Sequence, residues 1–104
     1  LGFDCSGFVQ TVFKMCGIYL SRDASEQIKN KNLVKIDYND INSGDLIFFA
    51  KDNIIDHVSI YLGNGKIIHS SGSVKVENLE DNKDLYDKLY GVMSTKGLFN
   101  ERIS

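Results

Sequence analysis

The sequence lacks several features that would assign it to common protein classes. It has no proline, two cysteines and two histidines among its 104 residues. No apolar run approaches the ~18 residues that span a bilayer, and the first residues have neither the positive nor the apolar region of a secretion signal. The formal net charge is -2 at pH 7, with acidic and basic residues mixed along the chain. These absences argue against a membrane span and against a nucleic-acid partner, whereas the lack of proline indicates no function.

What is present predicts one globular domain. The hydrophobic fraction of 42% and the length of 104 residues suit a single core. Because the sequence does not begin with Met, we expect residues 1–104 to be a single domain of a longer protein, truncated at its N-terminal edge.

The first third of the chain predicts helices. Apolar residues recur at helical spacing from Cys5 to Met15, with Asp4 as N-cap and Gly17 after the last turn. A second, short helix is predicted to open at Asp23, whose carboxylate would cap it, and to run through Ile28. The polar stretch 29–42 is interpreted as connective.

The remainder of the chain predicts an antiparallel sheet. Runs of β-forming residues are bounded by turn residues, and the predicted strands cover 46–49, 58–62, 66–69, 74–76 and a last strand near Val92. A weak helical turn is predicted over 83–89. Helices followed by antiparallel strands indicate an α+β domain.

The two cysteines are predicted to differ in role. Eleven helical steps separate Cys5 from Cys16 by ~16 Å, which is too far for a disulfide. Cys16 lies on the apolar stripe and is expected to be a small buried residue. Cys5 lies in the first turn, where free N–H groups and the helix dipole favour a thiolate. An incidental thiol remains the alternative for Cys5.

The two histidines fall in one predicted hairpin, around Gly63-Asn64-Gly65. A two-residue loop would place His57 and His69 on opposite faces. A three-residue loop with Gly65 in the bulge position pairs Ser59 with His69 and places both rings on one face, as diagonal neighbours. Either histidine could also be an ordinary polar residue at a strand end.

Cys5, His57 and His69 fit two kinds of chemistry. A thiol, a base and a group that orients the base form a nucleophilic site. A thiolate and two imidazoles could instead hold zinc, with water as the fourth ligand. There is no C-x-x-C, no H-E-x-x-H and no further Cys or His, so we expect neither a metal nor another cofactor.

Three motifs carry a family resemblance: Asp4-Cys5-Ser6-Gly7-Phe8-Val9, then Gly44 to Phe49, then the run from His57 to His69. Together they resemble the NlpC-type cell-wall cysteine peptidases. The resemblance covers nearly all of the chain. It implies a papain-like fold, catalysis by Cys5, His57 and His69, and cleavage of amide bonds beside D-glutamate in peptidoglycan stem peptides.

Two further segments, Ser21 to Gln27 and His69-Ser70-Ser71-Gly72, are similar to the dipeptidyl-peptidase VI branch, which cleaves the γ-D-glutamyl bond to a diamino acid. This similarity implies that Asp4 and Ser6 touch substrate, that Asp23 holds a free amino terminus, and that upstream β-barrel domains close the site. We add Ser25 and Ser59 as candidate substrate contacts. A silent wall-binding module, or an amidase or acyltransferase with another substrate, remains open.

Overall fold

The computed structural model describes the backbone of residues 4–103 and the side chains of residues 4–99. This part of the chain contains helices α1 (Cys5–Met15), α2 (Ala24–Gln27), α3 (Lys83–Tyr86) and α4 (Lys96–Ile103). Its strands are β1 (Val34–Ile36), β2 (Leu46–Lys51), β3 (Ile54–Gly63), β4 (Lys66–Ser70), β5 (Val74–Asn78) and β6 (Leu89–Ser94). Two short 3₁₀ turns cover Tyr38–Asp40 and Leu79–Asp81.

The six strands form one antiparallel sheet in the order β1-β6-β2-β3-β4-β5. Strands β2 and β3 are central, and residues 46–49 of β2 and 58–61 of β3 are buried. Helix α1 packs on one face of this sheet. The predicted α+β class is confirmed.

Two apolar layers cover the two faces of the sheet. On one face, Val9 and Phe13 of α1 pack against Phe48 and Val58. On the opposite face, a second cluster contains Ile47, Phe49, Tyr61, Ile67, Leu79, Leu85 and Val92. Strand alternation sends successive side chains of β3 into different layers, which separates Val58 from His57.

Helix α1 begins and ends where the sequence predicts. An Asp4 carboxylate oxygen accepts a hydrogen bond from the Gly7 N–H at 2.7 Å, and Gly17 takes a positive φ of 80° after the last turn. The prediction that Cys16 is buried is wrong, since Cys16 is exposed. It is the C-cap residue, with φ -90° and ψ 4°, so the backbone leaves the helix there and the apolar stripe no longer dictates its direction. Both cysteines are free thiols, as predicted.

The β3–β4 hairpin reaches the predicted register by a different route. The pairs Ile60 with Ile68 and Tyr61 with Ile67 have that register. The loop, however, is the two-residue turn Asn64-Gly65, with positive φ at both residues (53° and 77°). A register shift between Tyr61 and Gly63 supplies the extra residue. The prediction of a three-residue loop was therefore wrong, and a bulge inside β3 keeps the pairing.

The sequence reasoning missed two elements. The stretch 29–42, interpreted as connective, contains β1, which pairs with β6 at the edge of the sheet. Its three residues are too few, and too exposed, to show an alternating pattern. Helix α4 follows the last predicted strand. Within residues 4–103, no helix is both long enough and apolar enough to cross a membrane.

Candidate active site

The thiol of Cys5 lies against strand β3, beside the residue that precedes His57. Its Sγ donates to the carbonyl oxygen of Asp56 at 3.8 Å. Asp56 is the extra residue of a bulge, because Phe49 pairs with His57 and Ala50 pairs with Ile55. Bulges bend a strand and redirect side chains beside active sites. This bulge brings the β3 backbone to the start of α1.

For a nucleophile and its base, we expect the Cys5 sulfur to point toward His57, at roughly hydrogen-bond reach or somewhat farther before substrate binds. Among the described residues, the Cys5 thiol bonds to the Asp56 carbonyl and not to the ring of His57. Catalytic hydrogen bonds are often long or poorly aligned before substrate binds. The role of His57 as the base therefore stays a prediction. The contact between Cys5 and Asp56 neither supports nor contradicts it.

The electrostatics of Cys5 differ from those predicted for a residue at a helix start. Burial raises the pKa of the Cys5 thiol above its ordinary value, even though the backbone N–H groups of Val58 and Ser6 act to lower it. The nearby Asp4 carboxylate adds to the rise in pKa. The thiol is therefore neutral in the resting site, and attack requires a base.

The side chains of His57, His69 and Glu77 form a continuous hydrogen-bonded row. His57 Nε2 and His69 Nδ1 are 2.8 Å apart, and His69 Nε2 lies 2.5 Å from Glu77 Oε2. The two rings meet edge to face, with centroids 5.0 Å apart and planes at 88°. Phe49 packs against His57 at a centroid distance of 5.6 Å. His69 is 3% exposed, so the middle of this row is buried.

An ionised Glu77 determines the protonation of both rings. A carboxylate only accepts hydrogen bonds, so His69 Nε2 must carry a proton and donate it. With neutral His69, Nδ1 then accepts from the Nε2–H of His57. The remaining nitrogen of His57, Nδ1, is left with a lone pair. The row thus gives His57 the tautomer that a base requires.

Charges around the row support this assignment. Burial, followed by the positive charge of His69 when protonated, lowers the pKa of His57 to about 4. For Glu77, burial acts to raise the pKa, but hydrogen bonds from His69 and Asn82 and the charge of Lys75 outweigh it, so the pKa is lowered. At neutral pH, His57 is therefore an unprotonated base and Glu77 an ionised acceptor.

Four of the five predicted substrate contacts share a cavity with the thiol. This cavity, of about 350 Å³, is lined by Asp4, Cys5, Ser6, Asp23, Ala24, Ser25, Ile55 and Asp56. Sequence reasoning missed Arg22, which lies beside them. Its guanidinium donates to an Asp4 carboxylate oxygen at 2.7 Å and to Ser6 Oγ at 3.1 Å. Asp4 also caps α1, so both of its carboxylate oxygens are engaged.

The remaining two acidic residues of this cavity are available to a ligand. Asp23 precedes α2 but makes no side-chain capping hydrogen bond, contrary to the capping role that its position predicted. The chain instead satisfies the helix start through the backbone, where Glu26 and Gln27 N–H donate to the Asp23 carbonyl. Its carboxylate, like that of Asp56, has no ion-pair partner within residues 4–99.

Ser59 is enclosed by protein. It is 0% exposed, and its hydroxyl has no hydrogen-bond partner among the described residues. A side chain enclosed in this way cannot contact a substrate without a change of conformation. We therefore leave Ser59 out of the substrate contacts proposed below.

The candidate zinc ligands are not arranged around a common point. The His57 and His69 nitrogens that face each other share a hydrogen bond of 2.8 Å, and the Cys5 thiol is bonded to a carbonyl. Within the part of the chain that the structure describes, no group of three His, Cys, Asp or Glu side chains is placed to hold a metal ion.

A family of known proteins matches this sequence over most of its length. Residues 1–97 match the NlpC/P60 family. The chain belongs to this family. The family resemblance inferred from the three motifs is thereby confirmed.

Relatives of this NlpC/P60 chain are longer proteins. The gamma-D-glutamyl-L-lysine dipeptidyl-peptidase of Bacillus subtilis is 42% identical over 91 residues, which are 84% of this chain and 30% of that protein. A crystal structure of an NlpC/P60 family protein from Bacillus cereus has a TM-score of 0.78 at 37% identity, covering 88% of this chain and 31% of the other. The chain therefore spans about a third of the length of such relatives.

A second similar structure shows that this fold does not by itself imply catalysis. RipD from Mycobacterium tuberculosis, described as a non-catalytic NlpC/p60 domain protein adapted to peptidoglycan binding, has a TM-score of 0.73 at 26% identity. The alignment covers 89% of this chain and 66% of that one. Individual residues must therefore decide the function.

Glu77 is the residue of this NlpC/P60 site that sequence reasoning should have found. In the β4–β5 ladder, His69 pairs with Lys75, and Ile67 pairs with Glu77. Residues two apart share a face, so Glu77 is a diagonal neighbour of His69. The short turn after Ser70 carried the signal, because it determines this register.

Proposed function

We propose that this NlpC/P60 chain is a cysteine peptidase that hydrolyses the γ-D-glutamyl bond to a diamino acid in peptidoglycan stem peptides. The observation that carries the proposal is the row from His57 through His69 to Glu77, beside the Cys5 thiol. A row of three groups that leaves one imidazole nitrogen with a lone pair is the arrangement that a nucleophile and its base require.

The reaction follows from the protonation of these groups. His57 Nδ1 takes the thiol proton as Sγ attacks the γ-carbonyl carbon of D-glutamate. Backbone N–H groups at the start of α1 stabilise the oxyanion. The imidazolium of His57 then protonates the leaving nitrogen, the C–N bond breaks, and a thioester remains on Cys5. Water, deprotonated by His57, releases the acid and regenerates the thiol.

The cavity at Cys5 suits a substrate with a free amino terminus. Asp23 and Asp56 contribute carboxylates that have no ion pair within residues 4–99. The ammonium of an N-terminal L-alanine would pair with Asp23, in a charge-assisted contact. The name of the Bacillus subtilis relative, a dipeptidyl-peptidase, supports the same type of substrate.

The test uses the two cysteines as a matched pair. The peptide L-Ala-γ-D-Glu-L-Lys is incubated with the chain, and release of L-Ala-D-Glu is measured. Cys5→Ala should abolish release, whereas Cys16→Ala should leave it unchanged, because Cys16 is exposed at the far end of α1.

Other results would select other functions. Equal release by the Cys5→Ala variant would remove the thiol from the reaction. Binding of the peptide without cleavage would favour the non-catalytic module that RipD exemplifies. Cleavage of unrelated amides at the same rate would indicate an amidase of broader specificity.

A further inference from the structure

Gln27 is a fully buried polar side chain that takes no part in the proposed reaction. It is 0% exposed and is the last residue of α2. Its Nε2 donates to the carbonyl oxygen of Ser6 at 3.1 Å and to that of Ser21 at 2.9 Å. Because carbonyl oxygens only accept hydrogen bonds, these two contacts fix the orientation of the Gln27 amide.

These contacts connect two segments that line the cavity containing Cys5. Ser6 belongs to α1, which carries the thiol, and it lines the cavity together with Asp23. Ser21 lies two residues before Asp23, and the Gln27 backbone N–H also donates to the Asp23 carbonyl at 2.8 Å. Gln27 therefore ties the segment that carries Asp23 to the start of α1.

A second link between these segments is more exposed to water. Arg22 donates to Asp4 at 2.7 Å and to Ser6 Oγ at 3.1 Å, but the side chains of Arg22 and Asp4 are 54% and 59% exposed. Exposed ion pairs contribute little, because water screens them. The buried bonds of Gln27 are screened less, so Gln27 makes the stronger of the two links.

The other atom of the amide shows that packing does not explain Gln27. Its Oε1 is buried and has no hydrogen-bond partner among the described residues. A buried acceptor without a partner is unfavourable, and an apolar side chain of similar size would avoid that loss. The two donated bonds therefore account for an amide at this position.

We propose that Gln27 is a positioning residue for substrate selection. By tying Ser21 and Asp23 to the start of α1, it fixes the distance between the Asp23 carboxylate and the Cys5 thiol. A substrate whose ammonium lies at Asp23 then has its γ-carbonyl at the thiol, and a displaced carboxylate loses this alignment. This inference rests on the proposed function for the role of Asp23, but the hold on the segment is measurable without turnover.

The test replaces Gln27 by Met, which has a similar size and no donor. kcat/KM on L-Ala-γ-D-Glu-L-Lys should fall about fivefold, mainly through a higher KM, while kcat/KM on the N-acetylated peptide stays within about twofold. The matched control is Gln10→Met, which removes a bond of 3.1 Å from α1 to the Leu20 carbonyl, outside the cavity. It should preserve both values.

A double substitution separates positioning from general destabilisation. If Gln27 acts through Asp23, then Gln27→Met in an Asp23→Asn background has no carboxylate left to displace. The double variant should lose about tenfold, as expected for Asp23→Asn alone, and not the roughly fiftyfold of independent effects. Independent losses, or equal losses on the free-amine and N-acetylated peptides, would overturn the proposal.

NMR follows the same segment without turnover. In the substrate-free chain, the backbone amides of residues 22–25 should have lower order parameters in Gln27→Met than in Gln10→Met. If Gln27→Met does not fold, L-Ala-D-Glu is titrated into the chain carrying Cys5→Ala, and the side-chain amide signals of Gln27 should shift while those of Gln10 do not. Unchanged order parameters in a folded variant, or unshifted Gln27 signals, would overturn the proposal.

Cleavage by the unsubstituted chain separates this proposal from the proposed function. Cleavage of the free-amine peptide that Gln27→Met leaves unchanged would keep the peptidase intact and overturn the positioning role. Cleavage of neither peptide would overturn the peptidase, while the order parameters would still decide whether Gln27 holds the segment that carries Asp23.

Discussion

Replacing Glu77 by Gln tests whether the hydrogen-bonded row controls the base. The substitution keeps the shape and one acceptor oxygen but removes the charge. A Gln can also present its NH₂ group to His69 Nε2, which reverses every hydrogen bond in the row and leaves His57 Nδ1 protonated. Part of the population would then carry the wrong tautomer for accepting the thiol proton.

The expected loss follows from the contact of 2.5 Å between His69 Nε2 and Glu77 Oε2. A hydrogen bond to a charged group contributes about 1.5–3 kcal/mol and a neutral one about 0.5–1.5 kcal/mol. A difference of about 1.4 kcal/mol corresponds to a tenfold change in rate. We expect kcat/KM to fall about tenfold, less than on loss of a direct orienting residue, because His69 separates Glu77 from His57.

The pH profile distinguishes this role from a structural one. The Glu77 carboxylate acts to raise the pKa of His57, so its removal should lower that pKa further below about 4. The acid limb of kcat/KM should therefore move to lower pH while the plateau falls. Imidazole nitrogen shifts in NMR spectra should show unprotonated Nδ1 of His57 in the unsubstituted chain and mixed tautomers in the Glu77→Gln variant.

The matched control is Glu80→Gln, which removes an exposed carboxylate three residues further along the chain. It should alter neither the plateau nor the acid limb. If folded Glu77→Gln keeps the plateau, the acid limb and the His57 tautomer unchanged, Glu77 does not control the base.

Three further predictions concern other groups of the site. In a Cys16→Ala background, the rate of Cys5 alkylation by iodoacetamide should reach half its maximum at a pH above the ordinary thiol pKa of ~8.5, because burial raises the pKa of Cys5. A half-maximal rate near pH 7 would contradict this. The pKa of His57 falls on folding from about 6.5 to about 4, so the unfolded state binds more protons than the folded state between these pH values. The free energy of unfolding should therefore decrease by about 3 kcal/mol as the pH falls from 6.5 to 4. Urea unfolding of His57→Gln should lack that decrease. The same dependence of unfolding free energy on pH in both proteins would count against it. Asp23→Asn should leave the melting temperature nearly unchanged, since no capping bond is lost, and should lower kcat/KM about tenfold on a free-amine peptide but not on its N-acetylated form; equal effects on both peptides would reject the contact with the amino terminus.

Patterns over short stretches of the chain were enough to predict the local elements and the motif around Cys5. Helix α1 follows from apolar spacing between Asp4 and Gly17, which depends only on contacts within a few residues. The same holds for the main strands, whose β-forming residues are bounded by turns. The family motifs likewise lie in continuous segments, so the order of residues along the chain was enough to recognise them.

Which groups meet in the site depends on contacts between distant parts of the chain. The bulge between Tyr61 and Gly63 preserves the register despite a two-residue turn, and the bulge at Asp56 brings β3 to the Cys5 thiol. Bulges depend on how neighbouring strands pair, so residue spacing alone did not place them. Glu77 joins the row through the β4–β5 register, and burial reverses the expected direction of the Cys5 pKa. Register and burial are properties of the assembled sheet, because each depends on contacts between residues far apart in the chain.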